Sequence, residues 1–181
     1  PAFDEDVAPV VERAAASPGP AYIRLGQGEL PAGAVAPAYA PWRRLIAGSG
    51  PVVVAVGPLA GPAMAVAGQL QGVRPELWPE LWSVGELPLA AAPPPPEFAA
   101  RLAASGRLCV IEEHVEQGGL GQMLALWAQH AGIGVRALRH LHARGYPSGR
   151  YGSQAFHRRE SRLDAASIRD AVLALTLALA A

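Results

Sequence analysis

The sequence predicts an α/β fold: an open, mostly parallel sheet with helices on both faces. Three observations point there. Short apolar runs, rich in β-branched residues, recur near positions 52–56, 81–84, 108–111 and 135–141. Helical patterns separate them, and repeated strand–helix alternation builds a parallel sheet covered on both sides. Hydrophobic residues make up 51% of the 181-residue chain, which is enough to fill a core on each face.

Taken in order, Asp4, Glu5 and Asp6 precede Val7, Val10, Val11 and Ala14 at helical spacing. Pro9 is tolerated only in a first turn, so Asp6 is expected as the cap. Ser17, Pro18, Gly19 and Pro20 end that helix, and Ala21, Tyr22, Ile23, Arg24 and Leu25 read as a short strand closed by Gly26 and Gly28. Residues 29–50 show no clear period and read as a linker. Within it, residues 42–46 allow either a turn of helix or a short strand, with Trp42 and Leu45 packed on a neighbour.

The regular alternation begins at Pro51. Residues 52–56 form a continuous β-branched run, as in a strand buried on both faces. Gly61 and Pro62 open a helix with proline at its first position, and Val66 and Leu70 line its inner face. A second strand follows at 81–84. Pro93 to Pro96 are a stiff stretch before a short helix marked by Phe98, Leu102 and Ala103. The third strand is 108–111. Leu120, Met123, Leu124, Trp127 and Ala131 then define an amphipathic helix that stops at Gly132. A fourth strand is expected at 135–141 and a loop at 142–157. Asp164 caps a last helix whose inner face carries Ile168, Val172, Leu175 and Leu179.

Composition excludes several functions. Fifteen basic residues, all arginine, balance fifteen acidic ones, so the chain lacks the net basic surface of a nucleic-acid groove or a membrane-binding patch. The single cysteine, Cys109, permits no intrachain disulfide, and a cytoplasmic, reducing compartment is the expectation. Cys109 lies in an apolar run with nothing beside it to activate a thiolate, so it reads as a core residue. No apolar run reaches the ~18 residues of a membrane span, and no signal peptide is visible. The chain begins with Pro1, as a processed or cut product would.

Candidate chemistry is sparse. Gly57-Pro58-Leu59-Ala60-Gly61-Pro62 stands where a dinucleotide-binding domain places its glycine fingerprint, but proline removes the N–H groups that would grip a pyrophosphate. Glu112, Glu113 and His114 sit at the carboxyl end of the third strand, where open parallel sheets bind ligands. A glutamate beside a histidine suits acid–base work. The plainer reading is favoured: the charges cap the strand edge and pair with arginines at a subunit contact. His140 and His142, with His130 or His157, have the residue types for a metal, but no carboxylate or cysteine at ligand spacing completes a site, and none is expected. Arg158, Arg159 and Arg162 beside Glu160 read as a solvated or intersubunit surface. No catalytic, cofactor-binding or metal residue is therefore assigned to this chain.

The stretch Val110-Ile111-Glu112-Glu113-His114, followed by Gly118-Gly119-Leu120-Gly121, resembles a motif in the last domain of transketolase-like thiamine diphosphate enzymes. Gly19-Pro20-Ala21-Tyr22-Ile23-Arg24-Leu25 is similar to the strand that ends that family's pyrimidine-binding domain, and Pro1-Ala2-Phe3-Asp4 to the helix start before it. Gly152-Ser153-Gln154 and Leu163-Asp164-Ala165 resemble a later loop and helix cap. The order of these motifs is the family's. Glu86-Leu87-Pro88-Leu89 and Arg162-Leu163 depart from its pattern.

The resemblance implies a transketolase C-terminal-like α/β domain at 46–181, preceded at 1–45 by the tail of the pyrimidine-binding domain and a linker. It implies a dimer-supporting role, inactive alone, in an enzyme that moves two-carbon ketol units between sugar phosphates. Thiamine diphosphate and Mg would belong to an N-terminal portion or subunit. Glu113, His114, Gly118, Gly119 and Gly121 become active-site-peripheral candidates. A deoxyxylulose-phosphate synthase, a 2-oxo acid dehydrogenase β-subunit and a non-catalytic interaction domain are the competing readings.

Overall fold

The computed structural model describes residues 1–73 and 75–177. Five strands form one sheet: β1 (Trp42–Ile46), β2 (Val52–Val56), β3 (Glu80–Val84), β4 (Arg107–Ile111) and β5 (Ala137–Leu141). Their order is β1-β3-β2-β4-β5. The β2–β3, β2–β4 and β4–β5 pairs are parallel, and only β1 runs antiparallel, at the edge beside β3. The helices are α1 (Val7–Ala16), α2 (Ala60–Gln71), α3 (Pro96–Ser105), α4 (Leu120–His130), α5 (Gln154–Glu160) and α6 (Ala165–Leu177).

Strand alternation explains why the central runs are apolar throughout. Val53, Ala55, Leu81, Cys109 and Ile111 face one side, where Ala63, Val66 and Leu70 of α2 and Ile168, Val172 and Leu175 of α6 cover them. Val52, Val54, Trp82, Val84, Leu108 and Val110 face the other, under Phe98 and Leu102 of α3 and Leu120, Leu124 and Ala128 of α4. Both faces are buried, so neither set of positions is free to be polar. Phe98 is the hub of the second layer, 4.8 Å from the Trp42 ring, 5.7 Å from Trp82 and 5.8 Å from Trp127. Among the described residues no helix is long and apolar enough to cross a membrane.

Several expectations need correction. Residues 21–25 form no strand and join no ladder, and Tyr22 and Leu25 are exposed. A strand needs a neighbour to satisfy its N–H and C=O groups, and no strand among the described residues lies beside this one. Of the two readings open for residues 42–46, the chain adopts the short strand, β1. The helix expected to open on Pro62 begins two residues earlier, after a 3-10 turn at Gly57–Leu59. The fourth strand starts at Ala137 rather than 135. Helix α5 begins inside the expected 142–157 loop and runs three residues past it; its side chains are nowhere fully buried, so it has no apolar stripe to announce it. Leu179 lies outside the described residues.

Asp6 does precede α1, but its carboxylate does not cap that helix. It turns back to accept the N–H groups of Ala2 (2.9 Å) and Phe3 (3.1 Å) and a two-pronged donation from Arg43 of β1 (2.8 and 2.7 Å). Both side chains of the ion pair are only 4% exposed. Burial by itself would raise the Asp6 pKa; the Arg43 guanidinium and the two N–H groups outweigh it and hold the carboxyl below its ordinary value. Arg43 also donates to the Pro37 carbonyl (3.0 Å) and lies over the Phe3 and Tyr39 rings. The N-terminal arm is thus pinned to the edge strand by charge.

Removing one partner leaves the other charge buried and alone. Asp6→Ala should lower the unfolding free energy by about 3–5 kcal/mol, and adding Arg43→Met should restore part of it. Urea denaturation measures both. A loss below about 1 kcal/mol, the worth of an exposed pair, would show that the pair does not anchor the arm.

Candidate functional site

The glutamate–histidine–glycine stretch lies at the carboxyl edge of the sheet, between the end of β4 and the start of α4. The Glu112 backbone N–H donates to the Leu141 carbonyl at the end of β5 (3.0 Å), extending the ladder one residue past β4. Its side chain is 4% exposed, and both carboxylate oxygens have partners. One oxygen accepts the Leu120 N–H (2.9 Å). The other accepts the Gly121 N–H (2.9 Å) and lies 2.7 Å from His140 Nε2.

Leu120 and Gly121 are the first two residues of α4, and Gly119, its N-cap, has no side chain to offer. Glu112 therefore caps α4 from a distance, placing a full negative charge on the positive end of the helix dipole. Burial would push the Glu112 pKa up. His140 and the two helix N–H groups outweigh that and hold it below its ordinary value of 4.5.

This clamp accounts for two of the glycines. A Cβ on Gly119 would stand 2.5 Å from the Glu112 carboxylate oxygen. A Cβ on Gly121 would stand 2.5 Å from the His140 ring. Only glycine lets the carboxylate and the imidazole reach the helix end together.

The other expected residues separate. Glu113 accepts from Arg158 Nε of α5 (2.7 Å) and from Gln154 (3.4 Å), so one of the anticipated arginine pairings exists within this chain. His114 is exposed and its Nδ1 lies 3.2 Å from the Val115 carbonyl, away from Glu112. Gly118 holds a left-handed φ of 76° and its N–H donates to Gln122 (2.9 Å). His140 and His142 stand ring to ring at 4.9 Å, whereas His157 accepts a hydrogen bond from the Gly152 N–H. Among the described residues no group of three histidine, cysteine, aspartate or glutamate side chains is placed to hold a metal ion. Cys109 is fully buried, and burial pushes its thiol up to about 12, which disfavours a thiolate nucleophile.

Two residues gain roles that sequence patterns did not convey. Glu112 is the organiser of the turn rather than one of three equivalent charges, and His140 is its partner across 28 positions of sequence. The available signal was the parallel register, which sets His140 opposite Val110 and hence near the residue that follows β4.

The places where a diphosphate might sit do not fit one. The start of α4 is filled by the Glu112 carboxylate. The turn after β2 contains Pro58, which has no N–H, and Gly26 and Gly28 lie against it.

The clamp makes a prediction about acid. Glu112 has a depressed folded-state pKa, so its stabilisation is complete above the unfolded carboxyl value and is lost as pH falls through the folded one. Glu112→Gln should lose about 1.5–3 kcal/mol at neutral pH and show a shallower decline in stability below pH 4.5 than the parent. Denaturation curves at several pH values measure this, and parallel profiles for the two proteins would count against the clamp. Gly121→Ala should cost about 1–3 kcal/mol by forcing the His140 ring aside.

No family model matches the sequence, and no curated protein does. Among solved structures the chain is similar to one described as a split-gene transketolase, an inactive beta4 tetramer, with a TM-score of 0.77 and 22% identity over 98% of this chain. The chain spans 56% of the length of that neighbour. Identity at that level speaks to fold, and the fold expected from the sequence, a transketolase C-terminal-like α/β sheet, is the one this chain adopts.

Proposed function

We propose that this chain is the C-terminal, dimer-supporting portion of a transketolase-like enzyme that transfers two-carbon ketol units between sugar phosphates in the cytoplasm. Residues 1–45 are then the tail of the pyrimidine-binding domain with its linker, and 46–181 the unit that follows. The observation that carries the reading is the Glu112-organised glycine turn at the carboxyl edge of a sheet whose fold matches a split-gene transketolase chain along nearly its whole length.

Thiamine diphosphate, held with Mg by an N-terminal portion or subunit, would supply the carbanion stabilisation that the chemistry requires. This chain contributes no catalytic group. Glu112 is committed to the fold, and Glu113 is committed to Arg158. Glu113, His114, Gly118, Gly119 and Gly121 shape the turn that borders the active site in the assembled enzyme. The His114 ring, exposed and among the described residues close only to the adjoining Val115 carbonyl, is the side chain of that turn most available to a substrate oxygen. The exposed Leu126 on α4 and the solvent-facing edge of β5 suit a homodimer contact.

Two outcomes are expected. Calorimetry of the isolated chain with thiamine diphosphate and Mg should detect no binding, and micromolar affinity would sink the proposal. In the complete assembly, His114→Ala should lower turnover or substrate affinity by less than the roughly 10²–10⁴-fold that loss of a general base causes. Steady-state kinetics separates the two, and a loss of several orders of magnitude with folding intact would make His114 catalytic.

A further inference from the structure

Beside the Glu112 clamp, at the same edge of the sheet, lies a cleft of about 570 Å³. Its walls come from three parts of the chain: Glu116 in the glycine turn, His140, His142 and Arg144 where β5 ends, and Ser161 and Arg162 just past α5. The backbone holds these walls together. The Ala143 N–H donates to the His114 carbonyl (2.8 Å), and the Arg144 N–H donates to Ser161 Oγ (3.2 Å).

The charges in this cleft are unevenly used. His140 is engaged by Glu112. Glu116 is largely solvent-exposed and stands 3.9 Å from His142 Nε2, at the limit of an ion pair. Among the described residues, neither the Arg144 nor the Arg162 guanidinium has a carboxylate or carbonyl partner; Arg24, Arg44, Arg107, Arg139, Arg150 and Arg159 share that state, but only Arg144 and Arg162 line this cleft.

Arg162 is also in an unusual place. Helix α5 ends with Leu163 N–H donating to the Arg158 carbonyl (2.7 Å) and Arg162 N–H to the Arg159 carbonyl (3.0 Å). In that arrangement the residue in the Arg162 position takes a left-handed backbone, and glycine is the usual occupant. Arg162 has φ 58° and is the only non-glycine residue with positive φ among the described residues. The helix end gains nothing from its side chain, whereas the cleft gains a cation.

We propose that this cleft binds a phosphate group, free or as a phosphomonoester, between the Arg144 and Arg162 guanidinium groups. Planar guanidinium forks match phosphate oxygens in geometry as well as charge. His142 and the Ser161 hydroxyl supply further donors. Because Ser161 Oγ already accepts from the Arg144 backbone, its own proton remains to be donated. The site needs neither thiamine diphosphate nor an N-terminal portion, so it stands or falls separately from the ketol-transfer reading.

The test is thermal unfolding of the 181-residue chain at constant ionic strength, titrated with inorganic phosphate, glycerol 3-phosphate, glycerol or chloride. Phosphate-bearing probes should raise the midpoint in a saturable way, with affinity on the order of millimolar, and glycerol and chloride should not. A larger response to glycerol 3-phosphate marks an ester as the ligand, and a larger response to inorganic phosphate marks the free ion. Arg162→Gly should keep or raise the ligand-free midpoint, because glycine suits this backbone, yet weaken phosphate binding by about tenfold or more. Arg144→Gln should weaken it similarly, with circular dichroism confirming the fold. An undiminished response in Arg162→Gly, an equal response to chloride, or no response to either phosphate probe would overturn the proposal.

Discussion

The buried carboxylate of Glu112 is the constraint around which the carboxyl edge of this protein is arranged. A charge taken out of water must be met by donors or it unfolds the site around it. Here the donors are two N–H groups of α4 and the imidazole of His140 on β5, so a single side chain fixes where a helix begins and how the strand beside it ends. The glycines follow from this. Gly119 and Gly121 give up their Cβ atoms so that the carboxylate and the imidazole can touch the backbone of the helix. A motif that reads as chemistry in the sequence is, in the folded chain, first a device for starting a helix.

A second buried carboxylate does the corresponding work at the opposite end of the sheet order. Asp6 and Arg43 join the N-terminal arm to the antiparallel edge strand β1. Around them Arg13 pairs with Glu86, and Tyr39 donates to the same glutamate (3.3 Å). Burial and the Glu86 charge push the Tyr39 phenol up to about 12, so it stays protonated and keeps its place as a donor. Residues 21–40 contribute no strand or helix, yet the arm is held at both ends: by Asp6 before it and by Arg43 after it.

These commitments shape the functional reading. Parallel sheets place ligands at the carboxyl ends of their strands, and in this chain that edge is crowded with its own contacts. The turn after β2 lies under the N-terminal arm, and the start of α4 holds Glu112. At that edge lies the cleft beyond β5, where Arg144 and Arg162 are exposed. The charged groups of that edge are therefore spent mainly on starting α4 and joining it to β5.

The local pattern of the sequence was sufficient for the four parallel strands and their covering helices. A β-branched run such as 52–56 has one stable use, as a strand buried on both faces, and the spacing of Leu120, Leu124 and Trp127 has one stable use as a helix face. Those are short-range properties, set by side-chain period and backbone sterics. Tertiary structure alone decided three matters. It left residues 21–25 without a strand partner, because a ladder depends on a neighbour that local sequence cannot supply. It made α5 a helix without an apolar stripe, held by the Glu113–Arg158 pair and its end contacts. And it joined Glu112 to His140 and Asp6 to Arg43 across long stretches of chain, because the pairing of buried charges is settled by which donors the fold brings within hydrogen-bond reach.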